Sequence, residues 1–114
     1  MLFIILEEQL SSKMEEIIKL LWEASESFLA CRVVLQGEPF PRVIHPYGVA
    51  RTSKNKIVLV CQQSTGFTKA GGKAGYRNLM LKRIESVEIL KEKFEVSDDF
   101  NPSDIQYNEW IFHV

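Results

Sequence analysis

Arg42-Val-Ile-His-Pro-Tyr-Gly-Val-Ala-Arg-Thr52, then Ser53-Lys-Asn55, then Lys56-Ile-Val-Leu-Val-Cys61, reads as two strands and the turn that reverses the chain between them. The second run is continuously apolar, the pattern of a strand buried on both faces. The first contains Pro46, which removes a ladder donor and points to an edge or a bulge. A hairpin at the centre of the chain makes β-sheet the organising element. Upstream, Ala30 to Gln36 is short and rich in β-branched residues, and Gly37-Glu-Pro39 breaks it. Downstream, Tyr76 to Leu81 resumes an extended pattern and Lys82 to Glu85 reads as a tight turn or short helical corner. Ser86 to Leu90 alternates as a strand should, with Val87 and Ile89 against Ser86 and Glu88. The stretch from Gln62 to Gly75 is polar and contains glycines, which predicts a long loop.

Ahead of the strands, Leu10, Met14, Ile17, Leu21, Ser25 and Phe28 recur at three- and four-residue spacing, with glutamates and Lys19 on other faces. That spacing predicts an amphipathic helix over 12–28, with Ser12 and Glu15 as a capping box. The resulting fold class is mainly β (α+β): one helix, then five short sequential strands. Such strands favour a small antiparallel barrel, because closure removes exposed edges. The 114 residues, 46% of them apolar, make a single domain. It divides into a helix at 12–28, a barrel at 30–94 and a tail at 95–114. The apolar end, Trp110 to Val114, is expected to dock on the barrel or on a partner chain.

Charge is polarised. From Pro39 to Ile84 the chain carries Arg42, Arg51, Lys54, Lys56, Lys69, Lys73, Arg77, Lys82 and Arg83 and no Asp or Glu, so the flanks hold all 15 acidic residues. The formal net charge of −1 hides this contrast. A cationic block suits an anionic partner, a nucleic acid or nucleotide-like ligand, unless the acidic flanks fold back and neutralise it. Cys31 and Cys61 lie in apolar runs without a CxxC, the pattern of reduced thiols in a cytoplasmic protein, and no metal or other cofactor is indicated. Met1 to Leu6 is apolar but far too short for a membrane span, and Glu7-Glu8 follow it. No Ser/His/Asp arrangement or carboxylate pair marks an enzyme. Gly66 and Gly71 have a phosphate-loop gap, but Gly72 stands where that motif needs lysine and Ala74 where it needs a hydroxyl.

Three segments in order, Arg42-Val-Ile-His45-Pro46-Tyr47-Gly48, Lys56 to Cys61, and Tyr76-Arg77-Asn-Leu-Met-Leu-Lys-Arg83-Ile84 with Phe94 after it, resemble the WYL domain family of bacterial regulators. The resemblance spans roughly residues 15–100. The name-giving Trp-Tyr-Leu positions align with Ile57, Val58 and Leu59, so only the leucine is kept, and Leu79 stands where the family has a phenylalanine. Such domains usually follow a helix-turn-helix, whereas here at most one helix is expected ahead of the barrel. The resemblance implies an SH3-like, Sm-like barrel. It implies a non-enzymatic, regulatory ligand-sensing module for nucleic acid or a nucleotide-like anion, with His45, Tyr47, Arg51, Arg77 and Arg83 as contacts.

Those positions carry a physical rationale of their own. Arginine forks suit phosphate, and Arg77 and Arg83 share a face if their strand runs straight. His45 and Tyr47 point to one side; Tyr47 offers a ring for a base and a hydroxyl for a phosphate. Gln62 suits a base edge, and Lys69 and Lys73 suit non-specific phosphate contact. A second expectation is an assembly subunit, a homodimer or a companion of another regulator, using barrel edges and both apolar termini.

Overall fold

The central hairpin forms as its sequence predicts. In the computed structural model, which describes residues 11–68 and 75–114, Arg42–Thr52 and Ile57–Gly66 pair antiparallel around a turn closed by Asn55 at φ +61°. In chain order the elements are α1 (Ser12–Glu26), β1 (Leu29–Leu35), β2 (Arg42–Thr52), β3 (Ile57–Gly66), β4 (Gly75–Met80), β5 (Ile84–Lys93) and β6 (Tyr107–His113). A 3-10 turn over Leu81–Arg83 links β4 to β5. All six strands belong to one antiparallel sheet of order β4-β3-β2-β1-β5, with β6 added to β2. No helix among the described residues is long and apolar enough to cross a membrane.

Two edges of that sheet are consecutive in the chain. The end of β4 and the start of β5 lie one 3-10 turn apart, so the sheet must curl, but β4 and β5 do not pair and the sheet is not closed. β2 serves three neighbours. Its first residues pair β1, from Arg42↔Val33 to Ile44↔Cys31, and its last pair β6, from Gly48↔His113 to Thr52↔Tyr107. The register against β3 shifts between Pro46 and Gly48, the bulge that Pro46 suggests.

Strand alternation then builds two apolar layers. Leu59 and Cys61 face α1, where Ile17, Ile18 and Leu21 pack on Val33, Ile44, Val49 and Leu81. Val58 and Val60 face the opposite side, where Tyr47, Ala50 and Phe94 pack beneath Phe100, Tyr107 and Trp110. The apolar end of the chain therefore covers its own sheet.

Four expectations change. The helix is capped by Ser11, whose hydroxyl accepts from Met14 N at 3.2 Å, so Ser12 and Glu15 form no capping box. It ends at Glu26 because Phe28, at φ +53°, has left the helical region. Gln62 to Gly66 is strand, not loop, because it is paired to the start of β2. The tail contains a sixth strand. Residues 69–74, and with them Lys69 and Lys73, lie outside the described residues, as does Met1 to Leu6.

Candidate ligand-binding surfaces

The arginines of the cationic block are largely met by acidic residues from its flanks. Glu38 stands one residue outside the block, and after the Pro39-Phe40-Pro41 turn its carboxylate receives Arg42 as a fork: Nε to Oε1 at 2.9 Å and Nη2 to Oε2 at 2.6 Å. Both side chains are buried, at 7% and 4% exposure. The Glu38 hydrogen bond raises the Arg42 pKa against the opposing effect of burial. Arg42 also donates to Gln63 Oε1 at 3.1 Å, Gln63 donates to the Phe67 carbonyl at 2.8 Å, and the guanidinium sits 5.8 Å from the Phe67 ring. A buried charge is thus enclosed by partners on every side. Composition alone hides this pair, because its acid lies just beyond the acid-free stretch.

The other expected contacts are spread over the molecule. Arg51 donates to Asn55 Oδ1 at 2.7 Å and lies 3.5 Å from Glu109. Arg83 donates to the Gln36 carbonyl at 2.9 Å and lies 3.8 Å from Glu38. Arg77 donates to the Tyr76 carbonyl at 2.9 Å. The 3-10 turn between Arg77 and Arg83 ends the straight strand on which their shared face depended. His45 stacks on Phe94, 5.0 Å between centroids and 5° between planes, with Nε2 3.6 Å from Glu92 and without a hydrogen-bond partner. Tyr47 is fully buried. Its hydroxyl accepts from Ser97 N at 2.8 Å and donates to Gln62 Oε1 at 3.4 Å, so both its ring and its hydroxyl are engaged within the fold. Among the expected residues, then, His45, Tyr47 and Gln62 gather around the second apolar layer, while Arg51 and Arg83 serve other contacts.

Lysines add further positive charge at the surface. Lys13, Lys54, Lys56 and Lys82 are exposed and make no ion pair among the described residues. Three of them line two adjoining recesses. One, of about 300 Å³, is bounded by Met14, Asn55, Lys56, Ile57, Met80 and Lys82. The next, of about 250 Å³, runs past Lys13, Met14, Ile17, Gln36, Lys82 and Glu85. Met14 and Lys82 belong to both, which makes one groove with an apolar floor and a lysine rim. Among the described residues Glu85 is its single acidic lining residue. Sequence reading missed this groove because Lys13 belongs to α1, far from the cationic block, and only the fold brings it beside Lys82.

Both thiols are chemically quiet. Burial pushes Cys31 and Cys61 up to about 12, far above the range in which a thiolate is available at neutral pH. Among the described residues no group of three His, Cys, Asp or Glu is placed to hold a metal ion. Compared with protein-family models, with curated proteins and with solved structures, the chain matches none.

Proposed function

We propose that this chain is a non-enzymatic, regulatory binding module of WYL type, whose ligand is a single-stranded nucleic acid or a nucleotide-like anion held in the lysine groove. The observation that carries the reading is the convergence of Lys13, Lys56 and Lys82 on one groove with apolar residues on its floor. Ammonium groups on flexible stems track a phosphate backbone without demanding one geometry, and the floor of Met14, Ile57 and Met80 gives base faces an apolar surface. The arginines named by the resemblance hold the fold on this reading, and the lysines meet the ligand. The barrel belongs to the same proposal: a five-strand order whose two edge strands are consecutive supports a partly open SH3-like barrel.

Titration of labelled oligonucleotides and of nucleotides at low salt tests it. Binding is expected to weaken steeply as salt rises, with a Lys56→Glu/Lys82→Glu variant bound at least about tenfold more weakly. No binding at low salt, or binding that the double variant leaves unchanged, overturns the assignment. An Arg77→Ala variant, tested in parallel, decides whether the arginine emphasised by the resemblance takes part.

A further inference from the structure

On the opposite side of the sheet from α1, the edge strand β4 and the segment leading into β6 enclose a cleft of about 310 Å³. Its walls are Tyr76, Arg77 and Asn78 on one side and Asp99, Phe100, Asn101, Asp104 and Gln106 on the other, with Tyr107 at one end. The walls are tied to each other: Tyr76 Oη donates to Asp99 Oδ1 at 2.5 Å, Asn78 Nδ2 to Gln106 Oε1 at 2.9 Å, and Tyr107 Oη to Asn78 Oδ1 at 3.3 Å. Ser97 Oγ adds a second bond to Asp99 Oδ1 at 2.6 Å. These two bonds lower the Asp99 pKa, so the carboxylate is ionised at neutral pH.

Tyr76 is 41% exposed, yet it is held in place. Beneath it the buried Tyr47 ring packs edge to face at 5.9 Å, and Asp99 fixes its hydroxyl. An exposed aromatic ring with a fixed orientation is a stacking platform whose ordering cost is met on folding. The polar groups around it narrow what can be stacked there. Asp99 and Asp104 are acceptors only, whereas Asn78, Asn101 and Gln106, whose carbonyl oxygens are engaged by Tyr107 Oη, Ser103 N and Asn78 Nδ2, offer amide N–H donors. Two carboxylates against the one guanidinium of Arg77 leave the lining net negative, so a phosphate or carboxylate gains no net attraction there. A cationic amine satisfies the carboxylates but gives the amide N–H groups no acceptor. A hydroxyl donates and accepts at once, and a ring bearing neighbouring hydroxyls matches both kinds of wall while its C–H face lies on an aromatic.

We infer that this cleft binds a hydroxylated sugar ring, with Tyr76 as the platform and Asp99 and Asn78 as hydrogen-bonding partners of adjacent hydroxyls. Carboxylate capture of a ribose hydroxyl is a familiar form of this chemistry. The ring reaches the cleft either as a free saccharide or as the ribose of a nucleoside. This site is separate from the lysine groove, and its ligand is neutral.

The test is amide chemical-shift mapping on the intact chain, titrated in parallel with simple saccharides, adenosine, 2′-deoxyadenosine and a quaternary ammonium salt. Shifts confined to residues 76–78 and 99–107 are expected from saccharide or from adenosine, and which of the two produces them identifies the source. If adenosine is that source, the 2′-deoxy compound is expected to bind about fivefold more weakly, the loss of one net hydrogen bond. Asp99→Asn, which keeps an acceptor for Tyr76 and so preserves the wall, is expected to weaken binding by a similar factor. The inference is overturned if no sugar shifts these residues at millimolar concentration, if the ammonium salt shifts them instead, or if Asp99→Asn and Asn78→Ala both bind undiminished. Oligonucleotide binding in the lysine groove is read from residues 13, 54–57 and 80–85, so the failure of one site is distinguishable from the failure of the other.

Discussion

Arg42 and Glu38 carry the sharpest energetic statement at the level of single residues. Removing one partner of a buried fork leaves the other desolvated and unpaired, which costs about 3–5 kcal/mol, whereas replacing both with apolar groups of similar size is close to neutral. Glu38→Gln is therefore expected to lower the urea midpoint markedly, and Glu38→Leu/Arg42→Met to recover much of the loss. If the double variant is as unstable as the single one, the pair's own attraction, not the isolated charge, holds this corner. The same residues explain why charge was only half legible in the sequence. The excess of cations between Pro39 and Ile84 was plain, and so was the possibility that acidic flanks neutralise it. Which cations are neutralised depends on chain reversal: Glu38 meets Arg42 across a proline-rich turn and Glu109 meets Arg51 through β6. Neither contact has a local signature. Tyr47 shows the other limit, since a strand tyrosine reads equally as platform or as core filler until the residues above it are known. Here Phe94 and Phe100 pack against it, and it becomes the support for Tyr76.

At the level of elements, the strands that pack on both faces were the easiest to read. Lys56 to Cys61 announces itself because every residue of its core is apolar, whereas β6 was hidden: in Tyr107-Asn-Glu-Trp-Ile-Phe-His113, Asn108 and Glu109 interrupt any apolar run. That strand exists because β2 offers it a free edge beyond the bulge and because Gly48 lets it approach. A Cβ at position 48 would stand 2.4 Å from the Phe112 carbonyl oxygen, 2.6 Å from the Trp110 ring and 2.9 Å from the His113 backbone. Two of these atoms are backbone and cannot swing aside. Gly48→Ala is thus expected to lift β6 from β2 at a cost of about 1–3 kcal/mol or more. Hydrogen exchange should show it: the amides of residues 107–113 lose protection while those of the β2–β3 ladder at Ala50 to Val60 keep theirs. Equal loss across both ladders would mean that β6 and the hairpin form one cooperative unit. The strand end at Gly66 was misread for a related reason. Gln62 to Gly66 is polar, and only its partner, the start of β2, makes it strand.

For the whole molecule, the decisive arrangement is that one curled sheet carries an apolar layer on each face, and the two layers are covered by different parts of the chain. α1 covers one, and the segment from Phe94 to Val114 covers the other. The apolar end, which sequence reading left free to dock on the barrel or on another chain, is committed to its own sheet, through the β2 ladder and through Val114 N donating to the Tyr47 carbonyl at 2.8 Å. Deleting Tyr107 to Val114 should therefore do more than shorten a tail. It uncovers Tyr47, Ala50, Val58 and Val60 together with the β2 edge from Gly48 to Thr52, an apolar face beside unpaired backbone groups. The truncated chain is expected to bind a hydrophobic dye, to grow in light scattering with concentration and to lose most of its stability. The intact chain is expected to show none of these. A truncated chain that stays monomeric and folded would mean that Phe94 to Gln106 alone seals the second layer, with β6 as an addition to a finished domain. The cleft separates the two outcomes further, because Tyr107 closes one end and bonds Asn78. Sugar binding should vanish with the truncation, while the lysine groove on the α1 side, built without any residue of β6, keeps its anion affinity for as long as the hairpin and helix remain folded.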